Sequence, residues 1–116
     1  MILPKVISIK VNNLILLSYD NLEDWLKKPS HISTNINMTR YVKGATESKW
    51  ANKFSIKKYG RDGCIKKYEK WIRESDLINQ INELNGFTLG CWCKPDDCHG
   101  DILVKLFKEK NLQFHW

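Results

Sequence analysis

The stretch 87–107, FTLGCWCKPDDCHGDILVKLF, constrains the fold most strongly because its hydrophobic pattern changes twice. Residues 87–93 form a short run of apolar and β-prone residues, which predicts a buried strand. Residues 94–97 contain a proline, which cannot donate in a strand ladder, and two aspartates, which favour turns. From Cys98 onward, apolar residues recur at spacings of three and four, as on one face of a helix. The stretch therefore predicts a strand, a tight loop and the beginning of a helix.

Reactive side chains lie directly after the predicted loop, at the N-terminus of that helix. Unpaired N–H groups and the helix dipole favour an anion there, and they also make a cysteine thiolate more available. Cys98 is therefore the candidate nucleophile, and His99 and Asp101 are candidate general acids or bases. Asp101 follows Cys98 at the spacing of a capping interaction, provided that Cys98 is the N-cap residue. The pattern predicts that an anionic ligand binds at this helix N-terminus.

The same stretch also contains a candidate zinc site, because thiolates and imidazoles are the ligands that zinc prefers. The candidate ligands are Cys91, Cys93, Cys98 and His99. Their C-x-C-x4-C-H spacing differs from the paired C-x2-C pattern of zinc fingers, and adjacent Cys98 and His99 do not easily bind one ion. Cysteines in a core strand also often do nothing except pack. The spacing leaves a zinc site, a reactive thiol and simple packing open.

Two motifs resemble those of a known family. They are SKWANKF at residues 48–54 and the pair CWC and CHGD at residues 91–93 and 98–101. They are similar to the motifs of small phage, viral and bacterial domains grouped as domain of unknown function 4326. The family usually has glycine and proline where this chain has Ala51 and Lys53. The resemblance covers residues 38–107 and implies a compact α/β domain, but no settled activity.

Composition places the chain among globular proteins. At 116 residues, 42% hydrophobic, it is long and apolar enough to bury its own core, and we predict one domain over residues 1–116. The sequence shows no signal peptide and no apolar run of membrane-spanning length, so we expect no membrane partner. Four cysteines without a secretory signal favour reactive or metal-binding thiols over a disulfide framework. We expect a cytoplasmic protein, in the host cytoplasm if it is viral.

The segment 40–73 carries most of the positive charge. It has eleven Lys and Arg against three acidic residues, whereas the remainder has eight against ten. Such a bias predicts a phosphate-bearing partner, either a small molecule or nucleic acid, although lysines on a helix face are often merely solvated. Within the segment, the candidate ligand contacts are Arg40 and Lys49 as counter-charges, Trp50 as a stacking wall, and Asn52. Trp50 is equally compatible with a place in the core.

Other patterns predict the remaining elements. Residues 5–18 predict two strands joined by an Asn-Asn hairpin turn, and residues 20–26 predict a short helix with an acidic first turn. Residues 30–39 predict a polar loop whose His31 is a possible further metal ligand, followed by a short strand at 38–42. Helices are predicted over 61–74, where Cys64 lies on the apolar face, over 76–84 with Ser75 as cap, and from the CHGD motif to about residue 110.

Together these elements predict a small α/β domain, Rossmann-like in part, with a mixed sheet and helices packed on it. The N-terminal hairpin and helix of residues 1–37 would extend the family-like region. The 87–93 strand should lie near the middle of the sheet, because it is apolar on both faces. We predict that Trp50, Trp71 and Trp92 help to form the core near it.

Two functional hypotheses follow. The first is an enzyme or sensor that binds a nucleotide, nucleoside or other phosphate-bearing ligand at the Cys98 helix N-terminus. The second is a zinc-stabilised module that binds nucleic acid or another partner. The ability to form an apolar core without metal favours the first hypothesis at this point. The sequence predicts neither a substrate nor an oligomeric state.

Overall fold

Three parallel strands form the sheet of the computed structural model, which describes residues 2–34, 48–52, 54, 56–92 and 98–112. They are β1 (Lys5–Ser8), β2 (His31–Ser33) and β3 (Thr88–Cys91), in the order β1-β3-β2. All four residues of β3 are buried, which explains its apolar composition, because a central parallel strand is covered on both faces. The predicted α/β fold and central 87–93 strand are confirmed. The described strands are all parallel, whereas a mixed sheet was predicted.

One face of the sheet is covered by α3 (Ile56–Glu74), a 3₁₀ helix (Asp76–Leu84) and α4 (His99–Leu112). Leu89 of β3 belongs to the buried cluster on this face, together with Tyr68, Ile72 and Phe107. The larger of the two cores lies here. Its fully buried members are Trp50, Tyr68, Ile72, Ile81, Leu84, Leu89, Leu103, Leu106 and Phe107.

The opposite face is covered by α1 (Val11–Leu16) and α2 (Leu22–Leu26). Its smaller core consists of Ile9, Leu14 and Trp25. The Asn21 side chain accepts a hydrogen bond from the Asp24 N–H and begins α2 where the sequence predicted a short helix. No helix among the described residues has the length and apolar character needed to cross a membrane.

The predicted hairpin over residues 5–18 is wrong in its second half. Lys5–Ser8 is a strand, but Val11–Leu16 is a helix, in which Leu14 is buried and Ile15 and Leu16 are exposed. The Asn13 side chain donates to the Ser8 carbonyl at the end of β1, so this asparagine supports the strand end instead of forming a turn. A short apolar run does not distinguish a strand from a helix by periodicity alone.

The polar loop predicted over residues 30–39 is also partly wrong, because His31–Ser33 is an edge strand. His31 pairs with Thr88 at the start of β3, whereas Cys91 lies at the other end of that strand. The His31 ring stacks on Trp25 with ring centroids 4.6 Å apart. His31 is therefore not a ligand near the thiols. Residues 35–39, the strand predicted at 38–42 and the residues after Leu112 lie outside the described part of the chain.

The predicted helices after residue 56 agree with the structure in position. Gly60 (φ 72°) interrupts α3, so its second part starts near residue 61, as predicted. Ser75 caps the next helix, although that helix has 3₁₀ geometry. Cys64 is buried, in agreement with its predicted packing role. Of the three tryptophans predicted in the core, Trp92 is 39% exposed, and this part of the prediction is wrong.

Candidate metal and thiol centre

The carboxyl ends of parallel strands meet at one edge of the sheet, and the candidate residues converge there. Cys91 ends β3, Thr34 directly follows β2, and α4 begins at His99. Strand residues two apart share a face, so Cys91 points to the same side as Leu89, towards α3 and α4. The ligand atoms of Cys91, Cys98 and His99 all lie within 4.8 Å of one another, and all three residues are buried. Cys93 lies outside the described residues.

The two cysteine sulfurs, Sγ of Cys91 and Sγ of Cys98, lie at disulfide-bonding distance. The sequence favoured free or metal-bound thiols over disulfides, so an oxidised state of this pair was not anticipated. The spacing gives no direct sign of it, because the loop alone determines whether two cysteines seven residues apart can meet. The pair therefore has two chemically distinct states, a disulfide and a dithiol.

His99 is held in one orientation by hydrogen bonding and packing. Its Nε2 contacts the backbone carbonyl of Thr34, and its Nδ1 lies 4.0 Å from Cys91 Sγ. Because a carbonyl only accepts, the neutral ring carries its proton on Nε2, and the Nδ1 lone pair faces the sulfurs. Burial lowers the pKa of His99 to about 4, and the Thr34 carbonyl and the Asp101 charge offset this only partly. His99 is therefore a neutral acceptor near pH 7.

The N-terminus of α4 is capped by its own residues. The Cys98 N–H donates to Asp101 Oδ2 (3.3 Å), and the Asp101 N–H donates to the Cys98 carbonyl (3.0 Å). The Gly100 N–H donates to Cys98 Sγ (3.2 Å). Cys98 is therefore the N-cap residue, and the predicted capping contact with Asp101 is present. An incoming anion would compete with the Asp101 carboxylate for these N–H groups.

Of the ligand contacts predicted at residues 48–52, Lys49 forms a surface ion pair, whereas Trp50 and Asn52 are buried. Lys49 Nζ pairs with Glu83 at 2.9 Å. Trp50 is 2% exposed, and its Nε1 donates to Glu83, so its ring lies in the core and offers no stacking wall. Asn52 is buried, and its N–H donates to the same Thr34 carbonyl that His99 contacts. Arg40 lies outside the described residues.

Two residues that support the centre were missed by sequence reasoning. Thr34 contributes a backbone carbonyl, which any residue type offers, so no sequence signal marks it. Tyr68 packs edge-on against His99, with ring centroids 5.1 Å apart, and its hydroxyl donates to the Trp50 carbonyl. Its position on the apolar face of the predicted helix suggested burial only.

A small pocket of about 270 Å³ opens beside the centre. Of the three centre residues, Cys98 lines it, and Asp101 from the first turn of α4 lies beside Cys98. The remaining lining comes from α3 and α4 and consists of Asp62, Ile65, Lys66 and Ile102. Asp62 and Lys66 were not predicted as site residues. Their exposed positions on a basic helix gave no sign that they face the thiol.

The centre fits a zinc ion chemically when its cysteines are reduced. Cys91 and Cys98 would supply thiolates, and His99 would supply Nδ1. A histidine that binds a metal usually donates its other N–H to a carbonyl or carboxylate, and Thr34 provides this carbonyl. Two thiolates on a tetrahedral zinc lie roughly 3.8 Å apart, given zinc–sulfur bonds of about 2.3 Å. The zinc-bound and disulfide states therefore exclude each other.

A family model described as "Domain of unknown function (DUF4326)" matches residues 24–109. The match begins earlier than the family-like region 38–107 that the motifs indicated, and it includes α2 and β2. It also includes both motifs that carried the resemblance, at residues 48–54 and 91–101.

Two viral proteins are similar to this chain over about half of its length. "Uncharacterized protein R718" of Acanthamoeba polyphaga mimivirus is 44% identical over 71 residues, which cover 53% of this chain and 55% of the relative. "Uncharacterized 12.4 kDa protein in nrdA-td intergenic region" of Enterobacteria phage T4 is 32% identical over 69 residues, covering 52% and 64%. The matched regions thus span less than two thirds of either relative. No solved structure matches the chain.

Proposed function

The chain belongs to the family described as domain of unknown function (DUF4326), and we propose that this member is a zinc-stabilised module that binds nucleic acid. The orientation of His99 carries the zinc part of the proposal. Its Nδ1 faces two buried sulfurs while Nε2 is committed to Thr34. A fourth ligand would come from Cys93, which follows β3 by two residues. Reduced thiols suit the cytoplasmic location that the sequence predicts.

The exposed side of α3 carries the nucleic-acid part. Residues 56–74 contain seven Lys and Arg against three acidic residues, which is +4 of the net +6 of the chain. Lys66, Lys67 and Lys70 are exposed there and form no ion pair with any described residue. Lys67 also lies over the Tyr59 ring, 4.7 Å from its centroid. A cluster of unpaired lysines beside an aromatic ring suits contacts with the phosphate backbone.

A nucleic acid explains this surface better than a membrane. A helix that lies on a membrane needs an exposed apolar face as well as cations. The described side chains of α3 include no large exposed apolar residue, because its apolar side faces the core. Lysines carry little base-specific information, so the binding should depend mainly on phosphate charge and on salt.

The first test is fluorescence anisotropy with labelled single-stranded and duplex DNA over a range of salt concentrations. The variant replaces Lys66, Lys67 and Lys70 by Gln. We expect affinity at low salt to fall by roughly tenfold or more, and the salt slope for duplex to decrease by about 2.7 when all three lysines contact phosphates. The matched control replaces Lys10, Lys27 and Lys28 by Gln, with the same loss of charge near α1 and α2, across the sheet.

We expect the control to retain nearly all of the wild-type affinity. Equal weakening in both variants would mean that net charge alone drives the binding, and it would contradict an interface on α3. Failure of the wild-type protein to bind either DNA at low salt would remove nucleic acid as the partner. Neither result depends on the zinc content, which is measured separately.

A phosphate-bearing small ligand is the second candidate, because a pocket that suits a small molecule lies beside Cys98. Two carboxylates, Asp62 and Asp101, line this pocket with one cation, Lys66, so its charge suits an anion poorly. The N–H groups of Cys98 and Gly100 are also occupied. We expect calorimetric titration with inorganic phosphate and with a nucleoside monophosphate to show no binding. Binding that protects Cys98 from alkylation would favour this candidate over the first.

A further inference from the structure

We propose that Cys91 and Cys98 form a thiol–disulfide exchange centre whose pocket admits a small thiol carrying both an ammonium and a carboxylate group. The two sulfurs lie at bonding distance, and a pocket of about 270 Å³ lies beside one of them. The inference requires neither zinc nor nucleic acid. It adds a chemical activity to the centre. Thiol–disulfide exchange would also convert the disulfide into the dithiol that zinc binding requires.

The structure distinguishes the roles of the two cysteines. Both side chains are buried, but Cys98 lines the pocket and Cys91, at the end of β3, does not. The Gly100 N–H points at Cys98 Sγ, a contact that would stabilise its thiolate at the N-terminus of α4. Cys98 is therefore the sulfur that an external molecule meets, and Cys91 is the resolving partner.

The pocket walls indicate the class of thiol. Ile65 and Ile102 provide an apolar surface, and Asp62 and Lys66 lie one helical turn apart on α3. Asp62 and Lys66 form no ion pair with any described residue, and both side chains line the pocket. The pocket volume of about 270 Å³ lies just below the usual range of ligand pockets, which starts at roughly 300 Å³, so the pocket suits only a small molecule. An amino-acid thiol such as free cysteine, with its ammonium near Asp62 and its carboxylate near Lys66, matches this size and charge.

The exchange balances in two steps. The thiolate of the small thiol attacks Cys98 Sγ, the bond between Cys98 and Cys91 breaks, and Cys91 leaves with the electron pair and takes a proton through solvent. A second thiolate then attacks the small-molecule sulfur of the mixed disulfide on Cys98. It releases a small disulfide, and the Cys98 thiolate also takes a proton. In sum, two small thiols are oxidised to one disulfide while the protein disulfide is reduced to a dithiol. The reverse reaction passes through the same mixed disulfide.

The test is the rate of reduction of the oxidised, metal-free protein in EDTA, followed by mass spectrometry with peptide mapping. Four probes are compared at equal thiolate concentration: cysteine, cysteamine, 3-mercaptopropionate and 2-mercaptoethanol. We expect cysteine to react fastest and to form its mixed disulfide on Cys98. Asp62→Asn and Lys66→Gln should each slow the cysteine reaction by roughly fivefold at most, the size of one exposed ion pair, and leave the 2-mercaptoethanol rate unchanged.

The matched controls each remove one charge, a carboxylate or a lysine, at a position that does not line the pocket. Glu74→Gln on α3 and Lys108→Gln on α4 remove exposed charges that do not line the pocket, and we expect wild-type rates from both. Equal rates for all four thiols, once corrected for intrinsic reactivity, would overturn the role of the pocket. A mixed disulfide found first on Cys91, or no reduction by any probe, would overturn the exchange centre itself. Because EDTA is present throughout, these outcomes are independent of zinc binding.

Discussion

Gly90 lies directly against Trp25, so that a Cβ atom at residue 90 would come within 2.7 Å of the Trp25 ring. This contact brings the core of α1 and α2 against the backbone of the central strand, one residue before Cys91. The alternation of β3 thus places a bare backbone towards Trp25 and the thiol towards α4. Only glycine permits this close approach.

We therefore expect Gly90→Ala to destabilise the protein by roughly 1–3 kcal/mol, because an added methyl group would overpack a buried contact. The measurement is urea unfolding followed by tryptophan fluorescence. Gly63→Ala is the matched control, since its Cβ would meet its nearest neighbour, Tyr59 Cβ, at an ordinary 3.4 Å. Alanine in that helical position should be neutral or stabilising by up to about 1 kcal/mol. Equal stability of Gly90→Ala and wild type would contradict the close packing on Trp25.

The Tyr68 hydroxyl provides a second prediction. It donates to the Trp50 carbonyl in the buried interior, and burial raises the pKa of Tyr68, so the hydroxyl remains protonated. Tyr68→Phe leaves that carbonyl without its donor, and we expect a loss of roughly 1–3 kcal/mol in the free energy of unfolding. Tyr59→Phe serves as the control, because the Tyr59 contacts involve its ring, with Phe54 and the lysines. Similar small losses in both variants would argue against this hydrogen bond.

The buried His99 predicts a pH dependence of stability. Its pKa is lowered to about 4 in the folded protein, whereas the unfolded chain has the ordinary value of 6.5. The unfolded state therefore binds a proton first as the pH falls, and the stability that is present above pH 6.5 is lost on the way towards pH 4. Between pH 7.5 and pH 5, we expect His99 to account for a loss of about 2 kcal/mol.

Urea unfolding in EDTA at several pH values checks this prediction. His99→Gln should remove most of the pH dependence in this range. His31→Gln should keep most of it, although burial also lowers the pKa of His31. If the wild-type protein and His99→Gln lose stability in parallel, His99 is not the buried neutral group that the structure places beside Thr34.

The sequence predicted those elements that depend on apolar periodicity and on capping residues close to them in the chain. The strand that ends at Cys91 and the helix that begins at His99 follow from a change of apolar period, and the cap by Asp101 follows from a three-residue spacing. The loop predicted at residues 94–97 lies outside the described part of the chain. The apolar run after Asn13 has no such period, so the sequence could not distinguish the predicted strand from the helix that forms. Leu14 packs in the smaller core with Ile9 and Trp25, and this tertiary packing determines that the segment is a helix.

The contacts that orient the residues of the candidate site could not be predicted, because they do not depend on the type of the residues that make them. His99 is oriented by the backbone of Thr34, 65 positions away, and any residue could offer that carbonyl. Trp50 and Trp92 are the same residue type, yet one is buried and the other 39% exposed, because position relative to the sheet decides burial. The approach of Cys91 to Cys98, seven residues apart in sequence, is likewise not encoded by the residue types.

The zinc-to-protein ratio tests the central claim most directly. The protein is purified under reducing conditions without chelator, and zinc is measured by elemental analysis in the wild type and in single variants at Cys91, Cys93, Cys98 and His99. We expect about one zinc per wild-type chain, little or none in each of these variants, and full retention in Cys64→Ala, whose cysteine lies outside the centre. EDTA should also lower the melting temperature of the wild type. A wild-type protein without zinc that folds equally well in excess EDTA would contradict the zinc-stabilised module.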